Sequence, residues 1–181
     1  MKLENRILQV RREEPSKERQ IGRYYASELY DIYKGYLKPK DFFKQRKFDD
    51  KTLLTFEIGK MYHNHIQSFF PKENTEVSVK LQFDGFIITG RIDLLLDSIP
   101  CEFKTCSTLP KNYYLSHEIQ LQTYLQTPGL KDFGYITYIE KNPRVFLTKN
   151  FKIEKNDFLF NSVIEKVKSF HEELVKVGGN K

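Results

Sequence analysis

The spacing of apolar residues switches from a helical to a strand-like period at Pro71, which restricts the chain to folds that mix both elements. Ahead of the switch, Leu54, Ile58, Tyr62 and Ile66 recur every four residues and predict a helix over about residues 50–70, stopped by Pro71. Beyond it, residues 76–83 alternate apolar and polar side chains, Asp84-Gly85 is a hairpin signal, and residues 86–96 are apolar and β-branched. A short strand over 99–105 follows the Asp97-Ser98 turn. A helix over about 112–126 then ends at Pro128-Gly129. Strands near 133–140 and 144–153 flank an Asn142-Pro143 turn, and an amphipathic helix over 156–177 ends at Gly178-Gly179. At the other end, Tyr25, Leu29, Ile32, Tyr33 and Tyr36 predict a helix over about 20–36, ended by Pro39. Residues 1–20 read as a polar lead-in with a break at Glu13-Glu14-Pro15-Ser16. With no repeat and no linker, this order predicts one α/β (α+β) domain over residues 1–181. Residues 1–50 would form a helical basic and aromatic region, and 51–181 the core.

Composition narrows the function classes. Hydrophobic residues make up 39% of the chain, with 15 Phe and 11 Tyr, so it is neither disordered nor of low complexity. Its 181 residues suffice for a core without disulfides, and its two cysteines do not make a secreted scaffold. No apolar run nears the roughly 18 residues of a membrane span, and the opening Met1-Lys2-Leu3-Glu4 lacks a signal-peptide pattern. A cytoplasmic protein without a membrane partner is the expectation. The net charge is +6, and residues 1–55 hold 14 basic against 9 acidic side chains. Mixed into that region are Tyr24, Tyr25, Tyr30, Tyr33, Tyr36, Phe42, Phe43 and Phe48. Cations interleaved with rings suit single-stranded nucleic acid, whose bases can stack; a helical cap with its rings turned inward is the plainer alternative.

The chemistry concentrates in Gly90-Arg91-Ile92-Asp93 and Cys101-Glu102-Phe103-Lys104. On a strand, residues two apart share a face, so Glu102 and Lys104 project together while Cys101, Phe103 and Thr105 face the other way. Asp93 precedes Glu102 by nine positions across a short turn, close enough for the carboxylates to meet. Adjacent carboxylates repel unless a cation neutralises them, and hard oxygen donors favour Mg²⁺ or Mn²⁺. A surface salt bridge on an edge strand is the alternative. His63 lies one turn after Gly59, a glycine that permits close approach to the sheet, with His65 as a competitor. Gln120 and Tyr124 share a helix face and are suited to hold a phosphate or orient Lys104. Cys101 and Cys106 read as core residues.

In the order Gly-x-x-x-His, Gly-x-x-Asp, Glu-x-Lys and Gln-x-x-x-Tyr, the chain resembles the RecB-like branch of the PD-(D/E)xK nuclease superfamily over about residues 26–140. That group includes CRISPR-associated and archaeal-virus single-strand exonucleases. The resemblance implies a restriction-endonuclease-like core, a mixed central β-sheet flanked by helices. It also implies that His63, Asp93, Glu102 and the carbonyl of Phe103 hold one or two Mg²⁺ or Mn²⁺ ions. Lys104 would position or deprotonate the attacking water, supported by Gln120 and Tyr124. Ile32 stands where that group carries a cluster-binding cysteine, and no cysteine follows Cys106, so no iron–sulfur cluster is expected. Catalysis is thus assigned to Asp93, Glu102, Lys104, Gln120 and Tyr124, and nucleic-acid contact to Arg23, Tyr24, Lys34, Arg91, Gln120 and Tyr124. The expected function is a metal-dependent DNA nuclease, an exonuclease on single-stranded or free-ended DNA. The alternatives are a structure-specific endonuclease and a nucleic-acid-binding module on an inactive nuclease scaffold. Self-association is left open.

Overall fold

The structure is a computed structural model of the chain and describes residues 3–13, 19–44, 47–142 and 144–178. In chain order the elements are α1 (Leu3–Glu13), β1 (Arg23–Tyr25), α2 (Leu29–Tyr33), α3 (Asp50–Gln67), β2 (Thr75–Gln82), β3 (Ile87–Leu96), β4 (Ile99–Cys106), α4 (Leu115–Tyr124), β5 (Phe133–Glu140), β6 (Thr148–Glu154) and α5 (Asp157–Gly178). The strands form a six-stranded mixed sheet in which β2–β3, β3–β4 and β5–β6 are antiparallel and β1–β3 and β4–β5 parallel. This is the mixed sheet between helices expected from the sequence. Among the described residues, no helix is long and apolar enough to cross a membrane.

Turn chemistry sets the register of the antiparallel strands. Gly85 takes the left-handed φ of 81° that a hairpin after Asp84 needs, and Phe83 N–H donates to Phe86 O at 2.9 Å. Asp97 and Ser98, at φ 48° and 66°, make the two-residue turn into β4. One sheet face packs on α2, α4 and α5 through a core that includes Tyr24, Ile88, Ile92, Ile119, Leu121, Ile136 and Val167. Full burial of a residue such as Ile119 or Leu121 contributes roughly 1.5–3 kcal/mol, which docks α4 firmly over the sheet. On the other face, Tyr62, Ile66 and Phe70 cover a smaller core of Leu94, Cys101, Phe103 and Ile139. The helix α3 buries none of its residues fully.

The N-terminal region departs from the sequence reading. Residues 3–13 form a helix rather than a lead-in, tied to α3 by the ion pairs Arg11–Glu57 and Arg12–Asp50. The break expected at 13–16 lies largely outside the described residues. Instead of a helix over 20–36, residues 23–25 form a strand parallel to β3, followed by a short 3₁₀ turn and the five-residue α2. Gly22, at φ 81°, turns the chain into extended conformation, and Tyr24 rather than Tyr25 is the buried ring. The alternation of this short strand coincides with the i, i+4 spacing of a helical stripe, which is why the two are hard to tell apart in sequence. In the strand expected over 144–153, Val145 and Phe146 are exposed and pairing begins only at Thr148. Pro143, in the expected turn before it, and Gly179 lie outside the described residues.

Candidate active site

The sheet parts at the Gly-x-x-Asp segment. Strand β2 runs along one edge of β3, so β1, paired with residues 87–89, and β4, paired with 94–96, lie end to end along the other edge. Residues 90–93 face the gap between them. Ile92 is buried in the larger core and Leu94 in the smaller, so β3 changes face across Asp93. On β2, Glu76 lies between Thr75 and Val77, which pair with Leu94 and Ile92, and sits at φ 52°, a strained value for a residue with a Cβ. The Asp93 side chain thereby enters the gap, where Oδ2 accepts Phe103 N–H at 2.7 Å and Oδ1 lies 3.5 Å from His63 Nδ1. A strand residue's N–H and C=O point to the same side, so the Phe103 carbonyl also opens on this gap.

On the α4 face, Glu102 and Lys104 project together as alternation requires. Glu102 Oε1 accepts from Lys104 Nζ at 2.7 Å and from Gln120 Nε2 at 2.8 Å. Gln120 Oε1 accepts from Lys104 Nζ at 2.9 Å, and Gln120 Nε2 also donates to Tyr124 Oη at 2.8 Å. The amide thus fixes the ammonium and the carboxylate at once. Among the described residues, the second Glu102 oxygen, Oε2, has no hydrogen-bond partner, and it is buried in a residue only 2% exposed.

Electrostatics register the same crowding. Burial pushes the Glu102 carboxyl up to about 7; the Lys104 charge opposes that shift and the Asp93 charge adds to it. Burial lowers the pKa of His63, but its bond to Asp93 and the charges of Asp93 and Glu102 outweigh burial and raise it overall. Burial, then the Glu102 charge, raises that of Tyr124 and keeps its phenol neutral. Among the described residues, no three His, Cys, Asp or Glu side chains make a complete metal cage. The gap still offers hard oxygens, an imidazole and one carboxylate oxygen lacking its counterpart, a donor set that fits a divalent cation whose remaining positions are filled by backbone and water.

Two glycines act through what approaches them. A Cβ on Gly59 would lie 3.1 Å from Thr105 Oγ1, so a side chain of β4, not backbone, comes close to α3 there. At Gly90 a Cβ would lie 2.7 Å from Tyr124 Cε1 and 3.1 Å from Ala26 Cβ. The Tyr124 ring is 1% exposed and has nowhere to go. Gly90→Ala is therefore expected to lower Tm by roughly 3–10 °C, from about 1–3 kcal/mol of overpacking, in thermal denaturation. An unchanged Tm would show that the ring yields.

A groove of about 620 Å³ adjoins the gap, lined by Asp93, Gln120 and Tyr124 and by Arg23, Lys80 and Arg91 among others. The expected contacts Arg23 and Arg91 belong to it, whereas Lys34 does not line it and lies over the Tyr33 ring. The expectation for Tyr24 needs correction. Its ring is 0% exposed, packed against Phe42, Phe86 and Phe170 with its hydroxyl 2.9 Å from His171 Nδ1, and no base can reach it. Its neighbour Tyr25 lines the groove instead. Sequence reasoning also missed Glu76, paired with Arg91 at 2.6 Å, and Gln67, whose amide joins Glu76 Oε1 and Asp93 O at 3.2 and 2.9 Å. Neither residue carries a spacing signal, since each depends on α3 meeting the sheet.

No protein-family model and no curated protein matches this chain. Solved structures do. SSO0001 aligns at a TM-score of 0.62 and 18% identity over 92% of this chain and 83% of that one. An alkaline exonuclease from Laribacter hongkongensis, LHK-Exo, in complex with dAMP, aligns at 0.58 and 18% over 85% and 88%. A phage-related exonuclease from Haemophilus somnus 129PT aligns at 0.51 and 13% over 85% and 95%. The chain has the fold of these proteins.

Proposed function

We propose that the chain is a metal-dependent deoxyribonuclease of the RecB-like type, hydrolysing phosphodiester bonds at the ends of single-stranded DNA, with residues 1–181 as one nuclease domain. The carrying observation is the Glu102–Lys104–Gln120–Tyr124 network beside Asp93, with a buried carboxylate oxygen left without a partner. The exonuclease fold of the structural neighbours raises the prior by analogy. Asp93, Glu102, His63 and the Phe103 carbonyl would hold Mg²⁺ or Mn²⁺, which supplies Lewis-acid polarisation of the phosphate and a more acidic water. Lys104 then orients the water that attacks phosphorus as the P–O bond to the departing nucleotide breaks. Gln120 holds that ammonium in place, and the neutral Tyr124 phenol accepts from Gln120 and keeps its amide aligned. Arg23, Lys80 and Arg91 offer phosphate contacts along the groove. The Arg91–Glu76 pair is exposed and worth at most about 1 kcal/mol, so a phosphate can displace Glu76.

Incubation with end-labelled single-stranded and duplex oligonucleotides, in Mn²⁺ or EDTA, tests this reading. The expected product is a short labelled fragment, faster from single strands and absent in EDTA. Salt-sensitive binding without any Mn²⁺-dependent product would identify a binding module instead.

A further inference from the structure

Lys104 has a second flank that the groove does not reach. Lys104 and Tyr138 are register partners on the parallel strands β4 and β5, so Tyr138 stands beside it on the side away from β3. Above this pair, His117 lies one turn ahead of Gln120 on α4, and its Nδ1 is 2.7 Å from the Tyr138 hydroxyl. That hydroxyl also accepts the backbone N–H of Tyr114 at 3.0 Å, so Tyr138 ties the start of α4 and the His117 ring to β5. Burial, and then the Lys104 charge, hold the His117 pKa down at about 4 and the imidazole neutral. Tyr114 meets His117 at 5.5 Å and Tyr138 at 5.9 Å in edge-type contacts, yet stays 55% exposed.

We infer that the exposed face of the Tyr114 ring, braced edge-on by His117, is a stacking platform for one unpaired nucleobase, on the side of Lys104 opposite the Arg23–Arg91 groove. The Tyr114 ring is held in edge contacts by His117 and Tyr138, so little conformational freedom is lost when a flat ligand settles on its free face. Its place beside Lys104, which orients the attacking water in the reading above, makes the base next to the reacting phosphate the matching ligand. Any base has a π-face, so the platform favours single strands without selecting sequence. The inference rests on the nuclease reading above and names the substrate part that lies past the reacting phosphate.

Single-stranded oligonucleotides carrying 2-aminopurine at successive positions, bound in Ca²⁺, provide the test. Fluorescence of the probe at one position is expected to be quenched by the wild-type protein. Tyr114→Ala should relieve that quench and weaken single-strand affinity about tenfold, while Tyr114→Phe, which keeps the ring, retains both. Tyr114→Leu, similar in bulk but not aromatic, should behave like Tyr114→Ala, which separates stacking from packing. Unchanged quench and affinity in Tyr114→Ala or Tyr114→Leu would overturn the inference. Binding is read without turnover, so absence of cleavage counts against the nuclease reading and leaves this result legible.

Discussion

Asp93→Asn and Lys104→Ala are each expected to lower Mn²⁺-dependent cleavage of single-stranded DNA by about 10³-fold while changing DNA affinity only a few-fold. Asparagine suits the first site because its carbonyl oxygen can still accept the Phe103 N–H that Asp93 Oδ2 takes at 2.7 Å. A buried N–H left without a partner costs roughly 1–3 kcal/mol, and that confounding loss is avoided. What disappears is the negative charge at the sheet gap. Lys104→Ala removes the ammonium that Glu102 and Gln120 hold at 2.7 and 2.9 Å, and with it the group proposed to order the attacking water. In the proposed reading DNA affinity comes from other residues, among them Arg23, Lys80 and Arg91 along the groove, so the two readouts should separate. Single-turnover kinetics with equilibrium binding in Ca²⁺ measure both. Cleavage within tenfold of wild type in either variant would remove the gap from the chemistry.

The metal-free protein should lose stability as pH rises from about 4.5 to about 7, and Glu102→Gln should flatten that slope. Burial raises the Glu102 carboxyl from 4.5 to about 7, so in this window the native state holds a proton that the unfolded chain has released. The stabilisation is fully present below the unfolded value and is gone above the folded one, a change of up to about 3 kcal/mol, or roughly 5–10 °C in Tm. If Mn²⁺ binds as proposed, it requires the ionised form and should stabilise the wild-type protein increasingly over the same window. Thermal denaturation of both proteins from pH 4 to 8, in EDTA and in Mn²⁺, checks the sign. Parallel curves for the two proteins would show that Glu102 does not titrate as its burial requires.

Much of the site was legible in the sequence because it depends on local rules. The period of a strand places Glu102 and Lys104 on one face, and the period of a helix places Gln120 and Tyr124 on one face; the structure keeps both pairs. The two hairpin turns were equally local: Gly85 and Asp97 take the positive φ that glycine and aspartate tolerate, and Ser98 follows Asp97 at φ 66°. Glu76 and Gln67 were invisible because nothing near them in sequence marks their meeting with Asp93.

By itself, then, the chain's order of residues determined α3, α4 and strands β2 to β4 around the gap, though not β1, and which side chains share a face, because backbone sterics act over a few positions. Tertiary structure decided the rest. It split the edge of β3 between β1 and β4, drew Tyr24 out of an apparent helical stripe into the core, and left Glu102 Oε2 with no partner. Those outcomes follow from competition between distant segments for the same edge and the same buried space, which no local period records.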